Sequence, residues 1–96
     1  MATKAKSEAK REHILDRGTE LIWQNGYNGV SIRDIVQAAG VPKGSFYFYF
    51  DSKEDFASQA IDRYAKMGQV NLSQIPGFSA LSPRERLERL FDERER

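Results

Sequence analysis

The sequence predicts an all-α protein: a three-helix helix-turn-helix domain of the homeodomain-like type, then a long fourth helix and a truncated fifth helix. Apolar residues recur at helical spacing along most of the 96-residue chain. Capping signatures, which tie down free amide groups at helix starts, begin at Ser31, Ser52 and Ser82. Gly26 can take the left-handed conformation that ends a helix, and Gly40 closes the next apolar stretch in a run of small residues that suits a tight turn.

The first helix is predicted from about Ser7 to Asn25. Ile14, Leu21 and Ile22 fall on one helical stripe along it. Residues 1–6 precede this helix and are predicted to form a basic, flexible arm. Arms of this type commonly track phosphates, although a solvated, disordered terminus explains the same charges equally well.

The second helix is predicted to begin at Ser31 and to end at Gly40, and Pro42 follows at or near the first position of the third helix. The run from Phe46 to Phe50 consists of consecutive aromatic residues, which by alternation also match a β-strand. A helix is favoured because the flanking capping signals are helical and no second strand is available nearby to pair with it. In a helix, Phe46 and Phe50 share one face, which we expect to be core.

A fourth helix is predicted roughly from Lys53 to Val70, with Phe56, Ala60 and Ile61 at helical spacing along it. Residues 71–81 are predicted to be a linker, because they contain a Pro-Gly breaker pair. The fifth helix then carries a narrow apolar stripe among many charged residues. That stripe consists of Leu87, Leu90 and Phe91.

The composition argues against several kinds of site. The chain has no cysteine and a single histidine, His13, so we predict neither a disulfide framework nor a metal site. It has no phosphate-cradling glycine loop and no carboxylate pair within a predicted pocket, so we predict no catalytic residue, no cofactor and no enzyme activity. No apolar run approaches the roughly 20 residues of a membrane span, and no hydrophobic stretch follows the basic start, so a cytoplasmic location is expected.

The segment from Ser31 to Lys53 carries the functional signal. Two short helices joined by a tight turn form a helix-turn-helix, whose second helix can enter the major groove of DNA. Lys43 can reach a phosphate or the acceptor edge of guanine, or it is an ordinary solvated lysine. Gly44 allows a close approach to the DNA backbone, or it is only a turn residue. Ser45 can donate to a phosphate or a base, or it is a satisfied surface hydroxyl.

Other residues of the segment suit the same partner. Phe48 and Tyr49 can touch thymine methyl groups, with core burial an equally weighted alternative for Phe48. Ser31 is a helix cap first, and backbone amides at such helix starts also suit a phosphate. Lys53 is expected to hold a phosphate beside the next helix start.

These residues, in order and spacing, resemble the N-terminal domain of TetR/AcrR-type transcriptional regulators from about Arg11 to Ala60. A lone helix-turn-helix pattern is a weak indication, whereas the whole set is a strong one. Positions 17–18 depart from it, since Arg-Gly stands where small residues are common. The marks of the resemblance are Ile14-Leu15, Leu21, Gly26-Tyr27, Ile35, Ala39-Gly40-Val41, Lys43-Gly44, Tyr47, Phe50 and Ser52-Lys53.

The resemblance implies roles for two further residues. Tyr47 would donate its hydroxyl to a phosphate, with a purely structural tyrosine as the alternative. Arg33 would read guanine, with a surface ion pair to Asp34 or Glu20 as the alternative. The predicted DNA-binding set is then Ser31, Arg33, Lys43, Gly44, Ser45, Tyr47, Phe48, Tyr49, Lys53, Lys4 and Lys6.

The resemblance also implies how the chain works. Residues 7–52 would be the DNA-binding domain of a sequence-specific regulator, usually a ligand-responsive repressor that binds a palindromic operator as a homodimer. Residues 53–96 would be a connecting helix, a linker and the start of an effector and dimerisation domain that is mostly absent here. A small-molecule effector would bind in that absent region.

A protein-interaction module is the competing class, because helix-turn-helix folds also serve as docking domains. The aromatic third helix and the apolar side of the fifth would then contact a protein. Charge reversal of Lys43 and Lys53 to glutamate separates the two, since it should abolish DNA binding and leave a hydrophobic docking contact largely intact.

Overall fold

The computed structural model describes the backbone of residues 2–66 and 77–95 and the side chains of residues 7–66, 77–78 and 80–89. All regular elements within these ranges are helical, which confirms the predicted fold class. The chain divides into two compact units, Met1–Asp51 and Ser52–Arg96. The elements are α1 (Ala2–Asn25), α2 (Ile32–Ala39), α3 (Lys43–Tyr49), α4 (Lys53–Lys66), a short 3₁₀ turn (Phe78–Ala80) and α5 (Pro83–Glu95).

Helix α1 begins at Ala2 and not at Ser7, so residues 2–6 of the stretch predicted as an arm have helical backbone. The side chains of Lys4 and Lys6 lie outside the described residues, and their role stays a prediction. The C-terminal end matches the prediction: Gly26 has a positive φ of 82°, and its amide donates to the carbonyl of Ile22 at 2.8 Å.

Helix α2 is capped at both ends as predicted. The Ser31 hydroxyl accepts the Asp34 amide at 3.1 Å, and the Asp34 carboxylate accepts the Ser31 amide at 2.9 Å. At the other end Gly40 is left-handed, with φ of 71°, and its amide donates to the Gln37 carbonyl at 3.2 Å. Ile35, Val36 and Ala39 are the buried residues of this helix.

Helix α3 contains Phe46 to Tyr49 of the aromatic run, and Phe50 follows as its C-cap residue, so the helical interpretation of that run is confirmed over the strand. Pro42 is the residue just before the helix. Phe46 and Phe50 are both fully buried, as their shared face predicts.

In the second unit, α4 begins where its capping signature predicts, with the Asp55 amide donating to the Ser52 hydroxyl at 3.0 Å. Its predicted end at Val70 lies outside the described residues. The predicted apolar side of α4 is buried, since Phe56, Ala60 and Ile61 are almost inaccessible.

Residues 71–76 of the predicted linker lie outside the described residues, and its last part folds into the 3₁₀ turn. Phe78 in that turn is buried, and its carbonyl accepts the Arg86 Nε–H at 3.2 Å. Helix α5 starts with a reciprocal cap between Ser82 and Glu85, at 3.0 and 3.3 Å. Leu87 is buried, whereas the side chains of Leu90 and Phe91 lie outside the described residues.

Candidate nucleic-acid interface

Helix α3 presents one continuous exposed face. Lys43, Gly44, Tyr47 and Phe48 are all exposed. Their positions follow the spacing i, i+1, i+4, i+5, which places them side by side on one flank of a helix. A cation, a glycine and two aromatic rings therefore form a single surface.

The buried flank of α3 anchors the helix. Phe46 and Phe50 are one helical turn apart and buried, with ring centroids 5.0 Å from each other. Full burial of one such side chain stabilises by roughly 1.5–3 kcal/mol relative to exposure. Anchoring by these two rings directs the flank with Lys43 and Phe48 outward.

Phe48 is 75% exposed, so the alternative that it belongs to the core is wrong. Its ring makes an edge-to-face contact with Tyr49, with centroids 4.8 Å apart. Tyr47 is 48% exposed, and its ring packs edge-to-face on the buried Phe46 at 5.4 Å. The Tyr47 side chain thus packs on the buried Phe46 ring and is still about half exposed to solvent.

The packing of the chain does not require a glycine at position 44. A Cβ atom added there would meet nothing within 4 Å, and no positive φ is recorded for Gly44. Gly40, only four residues earlier, is different because its φ of 71° disfavours any residue with a Cβ. Glycine at position 44 therefore fits a requirement for close approach from outside the chain.

The polar candidates on α2 are exposed. Arg33 is exposed, and the two carboxylates proposed as its partners have other contacts: Asp34 accepts the Ser31 amide, and Glu20 lies 3.6 Å from Arg17. The Ser31 hydroxyl acts as the cap of α2. Ser31 is thus the N-cap residue of α2, and Arg33 lies in the first turn of that helix.

The remaining candidates are less closely grouped. Ser45 and Tyr49 are half-buried on α3. Lys53 is a half-buried residue at the start of α4, in the second unit. The first unit contains Ser31, Arg33, Lys43, Gly44, Ser45, Tyr47, Phe48 and Tyr49, and Lys53 belongs to the second.

Two contacts of α1 were not predicted. The Tyr49 hydroxyl lies 3.2 Å from the Ser7 hydroxyl, and the His13 Nε2–H donates to the Ala39 carbonyl at 2.9 Å. A carbonyl cannot donate, so this histidine nitrogen carries the proton. The partners are 42 and 26 positions apart in the sequence, so no local pattern signals either contact.

Other kinds of site can be assessed in the described part of the chain. No group of three or more His, Cys, Asp or Glu side chains is arranged there to hold a metal ion. No helix in it is both long and apolar enough to cross a bilayer.

The chain is similar to known regulatory proteins. The family model for bacterial regulatory proteins of the tetR family matches residues 14–60. The transcriptional repressor DhaR of Mycobacterium sp. strain GP1 is 37% identical over 81 residues, which are 84% of this chain and 41% of DhaR. The repressor NemR of Escherichia coli K12 is 44% identical over 65 residues, which are 68% of this chain and 33% of NemR.

A solved structure agrees with these sequence matches. A crystal structure of a TetR/AcrR family transcriptional regulator superposes with a TM-score of 0.61 and 48% identity. The match covers 70% of this chain and 37% of that one. The chain therefore spans less than half the length of each of these three relatives.

Proposed function

We propose that this chain, which belongs to the tetR family of bacterial regulatory proteins, binds double-stranded DNA through the exposed face of α3 and so regulates transcription. The family and the relatives named above are transcriptional regulators and not enzymes. The observation that carries the proposal is the exposed flank of α3, in which Lys43, Gly44, Tyr47 and Phe48 lie side by side while the other flank is buried.

Each residue of that flank suits a different part of DNA. Lys43 is a mobile cation that reaches a phosphate or guanine, and the Tyr47 hydroxyl donates to a phosphate. Phe48 is an apolar ring that packs on a thymine methyl group. Gly44 has no side chain, so the DNA backbone can come close to the backbone of α3 at this position.

The neighbouring residues would hold the helix in the groove. In this arrangement α3 lies in the major groove and α2 crosses the backbone, as in other helix-turn-helix proteins. Ser31 caps α2, Arg33 is in its first turn, and Ser45 is a half-buried residue of α3 beside the exposed flank. Lys53 and the arm lysines, Lys4 and Lys6, would add phosphate contacts.

The wider function is proposed from the family. The full-length protein would be a cytoplasmic, ligand-responsive repressor that binds a palindromic operator as a homodimer. The effector and most of the dimer interface would belong to a C-terminal region that these residues do not include. This agrees with the share of the relatives that the chain covers, 41% for DhaR and 33% for NemR.

The proposal is tested by selecting from random duplex DNA with this chain, at low and at physiological salt. An enriched palindrome supports reading as a dimer, and an enriched half-site supports reading as a monomer. Salt-sensitive binding without enrichment contradicts sequence-specific reading by these residues. No binding contradicts the whole proposal and favours a docking module, for which the exposed Phe48 is also suited.

Charge reversal gives the matched control. Lys43→Glu should abolish binding, because it places a carboxylate against phosphate. Lys66→Glu, at the exposed end of α4 in the second unit, changes the net charge by the same amount without altering α3. Equal losses for the two variants would mean that only total charge matters and that α3 is not the interface.

A further inference from the structure

A hydrogen bond joins the end of α3 to α1. The Tyr49 hydroxyl and the Ser7 Oγ are 3.2 Å apart, within hydrogen-bonding distance for two hydroxyl groups. Tyr49 is half-buried, whereas its neighbour Phe48 is the most exposed aromatic residue of the described chain. These two adjacent residues of α3 therefore differ in their contacts: Tyr49 is hydrogen-bonded to α1, and Phe48 is exposed to solvent.

The position of Ser7 is set by the packing of α1. Ser7 lies seven residues before Ile14, almost two helical turns, so both are on the same face of α1. Ile14 is fully buried. The His13 side chain also bonds to Ala39, the last residue of α2. Ser7 is therefore a hydroxyl on a helix that is already fixed against the helix-turn-helix.

The Tyr49 ring in turn contacts the exposed aromatic. The rings of Phe48 and Tyr49 meet edge to face, with an interplanar angle of 83°. On its other side Tyr49 is 6.3 Å from the ring of the buried Phe50. Edge-to-face contacts are a favoured arrangement of aromatic pairs, so a fixed Tyr49 restricts the orientations of Phe48.

We propose that Tyr49 is a positioning residue: its bond to Ser7 holds its ring, and its ring holds Phe48 in the orientation that reads DNA. The proposal rests on the proposed function of the α3 flank and deepens it. A side chain ordered before binding loses less conformational entropy when it binds. Tyr49 then contributes to base preference through Phe48, and its hydroxyl does not contact DNA.

The free protein provides the first test, without DNA. Nuclear Overhauser effects between the rings of Phe48 and Tyr49 should be clear in the unaltered chain and should weaken in Ser7→Ala. Ser58→Ala, the same chemical change on α4, should leave them unchanged. Unchanged effects in Ser7→Ala would overturn the positioning role, whatever the chain does with DNA.

The second test measures base preference with the duplex enriched by selection and a random duplex of equal length. Phe48→Ala should lose preference at particular base pairs. Ser7→Ala and Tyr49→Phe should each lose preference at the same pairs, by about twofold to tenfold, and the double variant should be no worse than either. A merely structural role would lower the melting temperature and leave the pattern of preferred bases unchanged.

The outcomes separate this inference from the proposed function. If Tyr49→Phe weakens binding and Ser7→Ala does not, the Tyr49 hydroxyl contacts DNA directly and the positioning role is overturned. If Phe48→Ala changes no preference, the proposed reading by the α3 flank fails, and the ring contacts in the free chain still decide whether Ser7 positions Tyr49.

Discussion

Helices α2 and α3 have nearly the same length, eight and seven residues, but they are stabilised in different ways. Helix α2 is closed by its own chain, with a reciprocal cap at Ser31 and a left-handed Gly40. Helix α3 has no side-chain cap at Pro42, and it is held by the buried rings of Phe46 and Phe50.

The difference shows how a short helix is kept available for a partner. Isolated helices of this length are marginal in water, so each needs support from caps or from packing. The packing that stabilises α3 involves the flank with Phe46 and Phe50. The side chains of the exposed flank contribute little to the stability of the helix. Substitutions on the outer flank of α3 should therefore change binding, and those at the ends of α2 or on the inner flank of α3 should change stability.

The largest expected effect is on the inner flank. Phe46→Ala should destabilise the chain by about 3–5 kcal/mol, because it leaves a cavity at a fully buried ring. Phe48→Ala, two residues away, should change stability by no more than about 0.5 kcal/mol, because Phe48 is mostly exposed. Chemical denaturation of both variants measures the contrast, and similar losses would mean that the two flanks of α3 are not distinct.

The next effect is on binding. Lys43→Ala should weaken DNA binding by about 1–3 kcal/mol if the lysine reads a base, with the loss confined to particular sequences. If it contacts phosphate, the loss should be uniform across sequences and the salt slope should fall by about one unit. Titrations at several salt concentrations distinguish the two, and an unchanged affinity would remove Lys43 from the interface.

Substitutions of two glycines, one at the end of α2 and one on the exposed flank of α3, test the difference between the two helices directly. Gly40→Ala should destabilise the chain by about 1–2 kcal/mol, because a Cβ atom is strained in the left-handed conformation. Gly44→Ala should raise stability by about 0.5–1 kcal/mol, because alanine favours a helix and the site is open.

Gly44→Ala should nevertheless weaken DNA binding, because the added methyl group would hold the backbone of DNA away. Thermal unfolding and binding titrations on the same samples check this opposition. A variant that is both more stable and fully active would contradict the close approach at Gly44.

The smallest effect concerns a cap in the second unit. Hydrogen bonds from the amide and then the hydroxyl of Ser82 lower the pKa of Glu85 below its ordinary value of 4.5. A carboxyl whose folded pKa is lowered stabilises the fold above its unfolded pKa, and this contribution is lost as the pH falls through the folded value. The fully exposed position of Glu85 keeps the effect small.

Glu85→Gln should therefore be less stable than the unaltered chain at neutral pH, and the difference should shrink in acid. Denaturation of both chains from pH 7 to pH 3 measures this. Glu88→Gln is the control, since Glu88 lies in the middle of α5 and pairs with Arg84 on the surface at 3.2 Å. A difference between Glu85→Gln and the unaltered chain that does not change with pH would contradict the charged cap.

Much of α2 and α3 was predictable because its signals are local. The cap at Ser31 joins residues three positions apart, and Gly40 ends its helix by its own conformational freedom. The spacing of Phe46 and Phe50 also indicated which flank of α3 is buried. The same spacing did not settle Phe48, since a short helix can bury a wider or a narrower part of its circumference.

The start of α1 and the contacts of α1 were not predictable. Residues 1–6 have the charge of a flexible arm, and the helical backbone of residues 2–6 was not expected from it. The bonds from Ser7 to Tyr49 and from His13 to Ala39 join distant parts of the chain. Serine and histidine on a helix surface have many possible partners, so residue type alone does not indicate these bonds.

The sequence by itself determined the caps of α2 and the starts of α4 and α5, because these depend on residues within a few positions of one another. It also determined the resemblance to the family, because the order and spacing of residues along the chain carry that resemblance. Only the tertiary structure decided that Phe48 faces outward, that Gly44 is open to approach, and that Tyr49 is tied to Ser7. The physical reason is that exposure and long-range hydrogen bonds depend on how α1, α2 and α3 lie against one another once the chain has folded.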